Sequence, residues 1–118
     1  MQLSVVSDDQ AVVRVACEGQ ISQNDFSPGS NPIEALLGPG AFGRKVLLNL
    51  EKTTYIDSSG LSWLFVCYKS FMQANGKFIL HTIPGRVYQV LQIVRLPSVI
   101  PVAPDEATAR SMALGEAK

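Results

Sequence analysis

Asp57, Ser58, Ser59 and Gly60 stand in a row between two apolar runs, in the stretch YIDSSGLSWLF. A carboxylate beside two hydroxyls offers two kinds of chemistry. Oxygens of these types cap helices, because they accept hydrogen bonds from the N–H groups left free at a helix start. A serine at such a corner can also carry a phosphate. The free N–H groups and the positive end of the helix dipole tolerate the added charge of about −2, so the domain stays folded while a protein interface there is spoiled. On residue types alone, capping serines and a glycine chosen for tight packing are the simpler reading.

Other residues suggest other chemistry. His81, the only histidine, follows the apolar segment KFIL and could share a rim with Asp57 and Ser58. A hydrolase would follow from that trio. Yet G-x-S-x-G is absent, and an aspartate adjacent to its serine is badly placed to orient a histidine. A strand-end histidine without a catalytic role is the better expectation. GPGAFG, residues 38–43, spells G-x-G-x-x-G, but it follows a helix and precedes a strand, the reverse of a dinucleotide site. It reads as a loop. Cys17 and Cys67 are the only cysteines and lack C-x-x-C spacing. They read as free thiols of a cytoplasmic protein, with no metal and no cofactor expected.

The elements that position these residues follow from hydrophobic periodicity. MQLSVVS and AVVRVAC alternate across a polar turn at Asp8–Gln10, which predicts a hairpin closed at Gly19. Residues 20–44 are broken by Pro28, Pro32, Pro39 and four glycines. Within them Asn31 is the expected N-cap of a short helix, Pro32 its first residue and Gly38 its stop. KVLLNL, residues 45–50, is nearly continuous apolar sequence, as in a parallel strand buried on both faces.

From Leu61 the period becomes helical, through Leu64, Phe65, Tyr68, Phe71 and Met72, with Asn75-Gly76 as the stop and Gly76 at positive φ. Trp63, Val66 and Cys67 fall off that stripe. They suggest either a helix packed on more than one side or an apolar docking face beside Ser58. KFILHTI is then a strand, GRVYQVLQIVRL a helix, SVIPVA a short edge strand because of Pro101, and PDEATARSMAL a final helix. The order β-β-α-β-α-β-α-β-α predicts one α/β domain over residues 1–118. Its sheet is mostly parallel, with four to five strands, an N-terminal antiparallel hairpin and helices packed against it.

Composition narrows the function. The 118 residues are 47% hydrophobic, and ten Lys+Arg balance ten Asp+Glu. That balance points away from direct nucleic-acid binding. MQLSVVSDDQ does not read as a signal peptide, and no apolar run has membrane-spanning length, so no membrane insertion is expected.

LLNLEKTTYIDSSGLSWLF resembles the signature of STAS domains, which occur in anti-anti-sigma factors (anti-sigma factor antagonists) and at the ends of sulphate transporters. The resemblance extends to the opening hairpin, NGKFIL, VYQVLQIVRL and the closing strand and helix. It implies the STAS fold and a non-enzymatic bacterial regulator of transcription. By position, Ser58 is the phosphorylation site, Ser59 the second hydroxyl and second choice, and Asp57 and Gly60 the rest of the corner. Leu61 and Trp63 join them as partner-binding residues. The implied partners are a serine-kinase anti-sigma factor, which binds the unmodified domain and releases it on phosphorylation, and a PP2C-type phosphatase that resets it. The family usually has a longer, regular first helix where this chain has residues 21–44. That departure leaves an alternative: a non-phosphorylated STAS scaffold, or an accessory subunit of a signalling complex or lipid transporter.

Overall fold

The computed structural model describes residues 1–115. Strands β1 (Gln2–Asp8) and β2 (Val13–Ile21) form the opening hairpin. Helix α1 (Pro32–Leu37) precedes β3 (Lys45–Ile56), and α2 (Ser58–Gln73) follows it. Then come β4 (Lys77–His81), α3 (Gly85–Ile93), β5 (Val102–Ala103) and α4 (Glu106–Leu114). The sheet order is β1-β2-β3-β4-β5. Only the β1–β2 pair is antiparallel. Class, element order and hairpin are those the sequence predicts.

The two-residue period of a strand assigns each core residue to a face. Val46 and Leu48 of β3 and Phe78 and Leu80 of β4 join Val13, Val15 and Cys17 of β2. That face is covered by Leu64, Cys67 and Phe71 of α2 and by Val87 and Leu91 of α3. Right-handed crossovers between successive strands put α2 and α3 on the same side. Leu47 and Ile79 point the other way, with Val12 and Ala103, and meet Ala109 and Ala113 of α4. Val46, Leu47, Leu48 and Leu50 of KVLLNL are all buried because both faces are covered. Alanines on α4 let it lie close, and two pairs join it to the hairpin, Arg14–Glu106 at 2.8 Å and Arg110–Asp9 at 2.9 Å. These pairs are partly solvent-exposed, so they orient the helix more than they stabilise it.

Several boundaries differ from expectation. β2 does not close at Gly19. It continues to Ile21, with Gly19 at φ +85° beside an irregularity in the register. β3 runs on through the polar residues 51–54, because β2 lies alongside: Glu18 faces Lys52, Gly19 faces Thr53 and Ile21 faces Ile56. α3 ends at Ile93, where Arg95 turns left-handed before the 3₁₀ turn Leu96–Ser98. SVIPVA therefore supplies only Val102–Ala103 to the sheet, an edge strand as Pro101 requires.

At the end of α2 it is Asn75, not Gly76, that takes positive φ, at 64°. Gly76 is needed for a different reason. A Cβ there would meet the carbonyl oxygens of Phe42 and Arg44, the latter at 2.6 Å. The loop before β3 and the turn before β4 touch backbone to backbone at this point. Gly76→Ala forces those carbonyls apart and is expected to cost about 1–3 kcal/mol, measurable as a lower urea midpoint with an unchanged slope.

Candidate functional site

β3 outruns β4. Asn49 is the last β3 residue paired with β4, opposite His81, and β3 then continues from Leu50 to Ile56 beside β2 alone. The corner after Ile56 thus projects beyond the centre of the sheet. Asp57 leaves the strand in extended conformation, and α2 starts at once with Ser58.

The capping expectation is corrected here. Asp57 is the N-cap, its Oδ1 accepting from the Gly60 N–H at 2.9 Å. Ser58 and Ser59 are the first two residues of the helix, and neither hydroxyl has a hydrogen-bond partner among the described residues. An aspartate in extended conformation before the first turn already supplies the capping oxygen, so the serines are released from that duty. Ser58 is exposed and Ser59 half-buried.

Gly60 is fixed by packing. A Cβ there would lie 2.6 Å from Cγ1 of Ile56 and 2.8 Å from both Cγ2 and the carbonyl oxygen of Ile21. This glycine brings the first turn of α2 against the ends of β2 and β3. It also sets the helix phase. Gly60, Trp63, Leu64, Cys67 and Phe71 face inward, while Leu61, Phe65 and Tyr68 are half-buried and Met72 is exposed. The inward stripe is rotated from the one expected from Leu61.

Trp63, expected as a candidate docking residue, is only 6% exposed. It packs against Phe26 with ring centroids 5.5 Å apart, and its Nε1 donates to Oδ1 of Asn31 at 3.3 Å. The same Oδ1 caps α1 by accepting from Ile33 N–H, and Asn31 Nδ2 donates to the Cys67 sulfur at 3.5 Å. Burial pushes the Cys67 thiol up to about 12, with Asn31 opposing, so it is a protonated core residue. Cys17 is raised by burial too. Val66, at 56% exposure, is the most exposed large apolar residue of α2.

A groove of about 550 Å³ lies between α2 and the 23–31 loop. Phe26, Pro28, Trp63 and Val66 give it apolar walls, Ser59 and Ser62 line its α2 side, and none of its lining residues is charged. Gln23 and Phe26, on a loop without periodicity, were not expected as site residues. An aromatic among Ser, Asn, Asp, Pro and Gly was the only sign in the sequence.

His81 is not part of this site. Its register opposite Asn49 leaves roughly 25 Å of strand between it and Ser58 at ~3.3 Å per residue. It is buried, and its Nδ1 lies 2.8 Å from Oγ1 of Thr82. His81 therefore does not share a rim with Asp57 and Ser58, and the three are not assembled as a set. Among the described residues no three His, Cys, Asp or Glu side chains gather as metal ligands, and no helix is long and apolar enough to cross a membrane.

Fold and corner together define an α/β domain with an antiparallel N-terminal hairpin and a hydroxyl-bearing strand-to-helix turn. The STAS domain family matches residues 10–109, and the chain belongs to that family. An anti-sigma factor antagonist from Mycobacterium paratuberculosis shares the fold with a TM-score of 0.74 and 18% identity, over 95% of this chain and 94% of that one. An anti-sigma-factor antagonist (STAS) domain protein from Planctomyces limnophilus gives 0.70 at 19% identity, over 94% and 96%. The anti-sigma factor antagonist SpoIIAA in its unphosphorylated form gives 0.59 at 17% identity, over 91% and 90%. At these identities the likeness is one of fold.

Two measurements test this geometry. Gly60→Ala pushes α2 off Ile21 and Ile56 and is expected to cost about 1–3 kcal/mol in denaturant unfolding; a neutral result would mean that the helix does not seat on these residues. His81 gives a pH dependence. Burial lowers its pKa, Arg14 adds to the lowering, and Glu106 and Asp105 oppose it. The unfolded chain, at about 6.5, therefore takes the proton first as pH falls. Its contribution to stability is complete above pH 6.5 and is lost below, down through the folded pKa. His81→Gln should flatten the stability–pH curve below about pH 6.5.

Proposed function

We propose that this STAS domain, residues 1–118, is an anti-sigma factor antagonist-like regulatory protein of the cytoplasm and not an enzyme. It binds a serine-kinase anti-sigma factor and is switched by phosphorylation of Ser58. The observation that carries the reading is the division of labour at the corner. Asp57 holds the helix start, which leaves the Ser58 hydroxyl exposed, unbonded and free to be modified without loss of the cap.

The chemistry follows. The kinase transfers the γ-phosphoryl group of ATP to Ser58 Oγ, its own base takes the hydroxyl proton, and ADP leaves. A PP2C-type phosphatase hydrolyses the ester with water and restores the serine. The phosphate brings about −2 charge to the residue next to Ser59, which lines an uncharged groove. A partner that buries this groove must then desolvate a dianion, which favours release. Ser59 remains the second choice, because it is half-buried and lines the groove. Leu61 is half-buried and Trp63 almost fully buried, so they support the partner surface from beneath, with Val66 and Ser62 outermost.

One observation favours the alternative of a non-phosphorylated scaffold or lipid-transporter subunit. The connection from β2 to β3 contains only the six-residue α1 between two 3₁₀ turns. A groove wall of such a build suits a partner of its own.

Co-purification from native cells separates the two readings: a histidine-kinase-like ATPase supports the switch, a transporter ATPase the accessory subunit. With the kinase in hand, Ser58→Ala is expected to bind as the unmodified protein does. Ser58→Asp is expected to bind at least about tenfold more weakly, equivalent to ~1.4 kcal/mol. Equal binding by both variants would remove the switch.

A further inference from the structure

We infer that Asp57 is a positioning residue that ties the groove wall to the serine corner, and that a phosphate on Ser58 acts in part by breaking that tie. The inference rests on the reading of Ser58 as the modified residue.

The two oxygens of Asp57 do different work. Oδ1 caps α2 through Gly60 N–H at 2.9 Å. Oδ2 accepts from the backbone N–H of Gln23 at 3.1 Å, across 34 positions of sequence. The Asp57 N–H donates back to the Ile21 carbonyl at 3.1 Å. Gln23 opens a 3₁₀ turn that runs to Asp25, and Phe26 follows directly, its ring tilted against Trp63. Asp25 knits the turn internally by accepting from Ser22 N–H at 2.8 Å, and it anchors the turn to the start of β1 by pairing with the Met1 amino group at 2.6 Å. Loss of the Gln23 bond therefore frees the turn on the side that faces the corner while Asp25 stays anchored.

A phosphate on Ser58 stands one residue from the Asp57 carboxylate, and the two anions repel each other. The repulsion strains both bonds that the carboxylate accepts. The bond to Gln23 is longer and more exposed than the cap, so it yields first. The freed side of the turn then loosens and Phe26 lifts from Trp63. The modification is thus read as a change in groove shape as well as in charge.

Trp63 is the only tryptophan, so its fluorescence reports the Phe26 cover directly. The test uses the full chain with phosphoserine incorporated at position 58 during synthesis, which needs no kinase. Acrylamide quenching of Trp63 is expected to rise several-fold. The Gln23 amide should exchange about tenfold faster, the equivalent of one lost hydrogen bond. Asp57→Ser, which keeps a capping oxygen and removes the second acceptor, should give both changes without phosphate while the Gly60 amide stays protected. Phosphoserine added to Asp57→Ser should then change nothing more. Unaltered Trp63 quenching and Gln23 exchange in the phosphoserine protein would overturn the inference, as would an Asp57→Ser variant that behaves like the parent. If the Trp63 signal moves but protein from native cells never carries phosphate, the tie stands and the Ser58 switch falls.

Discussion

Both oxygens of the Asp57 carboxylate are engaged, and the bonds they accept join the end of β3, the start of α2 and the turn after β2. With the Asp57 N–H bonded to Ile21, three pieces of chain meet around one residue. Gly60 completes the junction by having no side chain, which lets the helix rest on Ile21 and Ile56. The serines occupy a position that this junction creates and does not consume. Exposure of Ser58 is thus a consequence of who caps the helix.

The sheet explains why the corner is accessible. β4 pairs with β3 only as far as Asn49, and the remainder of β3 is supported by β2. The long β2–β3 pair carries the strand-to-helix turn beyond the shorter β4, and the irregular 22–44 segment fills the space beside α2. Aromatic packing gathers at the other end of α2, where Phe71 stacks on Phe78 at 4.9 Å and meets Phe42 edge-on at 5.1 Å. An aromatic base at the end of α2, away from the corner at its start, suits the proposed switch, which leaves the fold intact.

The fold was legible because hydrophobic period reports burial directly. The change from alternation to helical spacing after Ile56, the apolar KVLLNL and the Asn31-Pro32 start each correspond to an element in place. The site was legible as a set of residues but not as a set of roles. Asp and Ser are both good caps, and which one serves depends on where β3 ends. That end is set by β2 pairing across Glu51–Thr54, a polar stretch that the local pattern does not mark as strand. Trp63 shows the same limit. Its inward direction follows from Gly60 contacting Ile21, a contact between residues distant in sequence. The partnership of Asp57 with Gln23 has no local signature at all.

The phosphorylation state of the protein isolated from its native cells bears most directly on the Ser58 switch. Intact mass followed by peptide mapping should find a single added phosphate, on Ser58 and not on Ser59, in a fraction that changes with growth condition. A chain that carries no phosphate under any condition would leave the corner as a constitutive docking surface, with Ser58 unused.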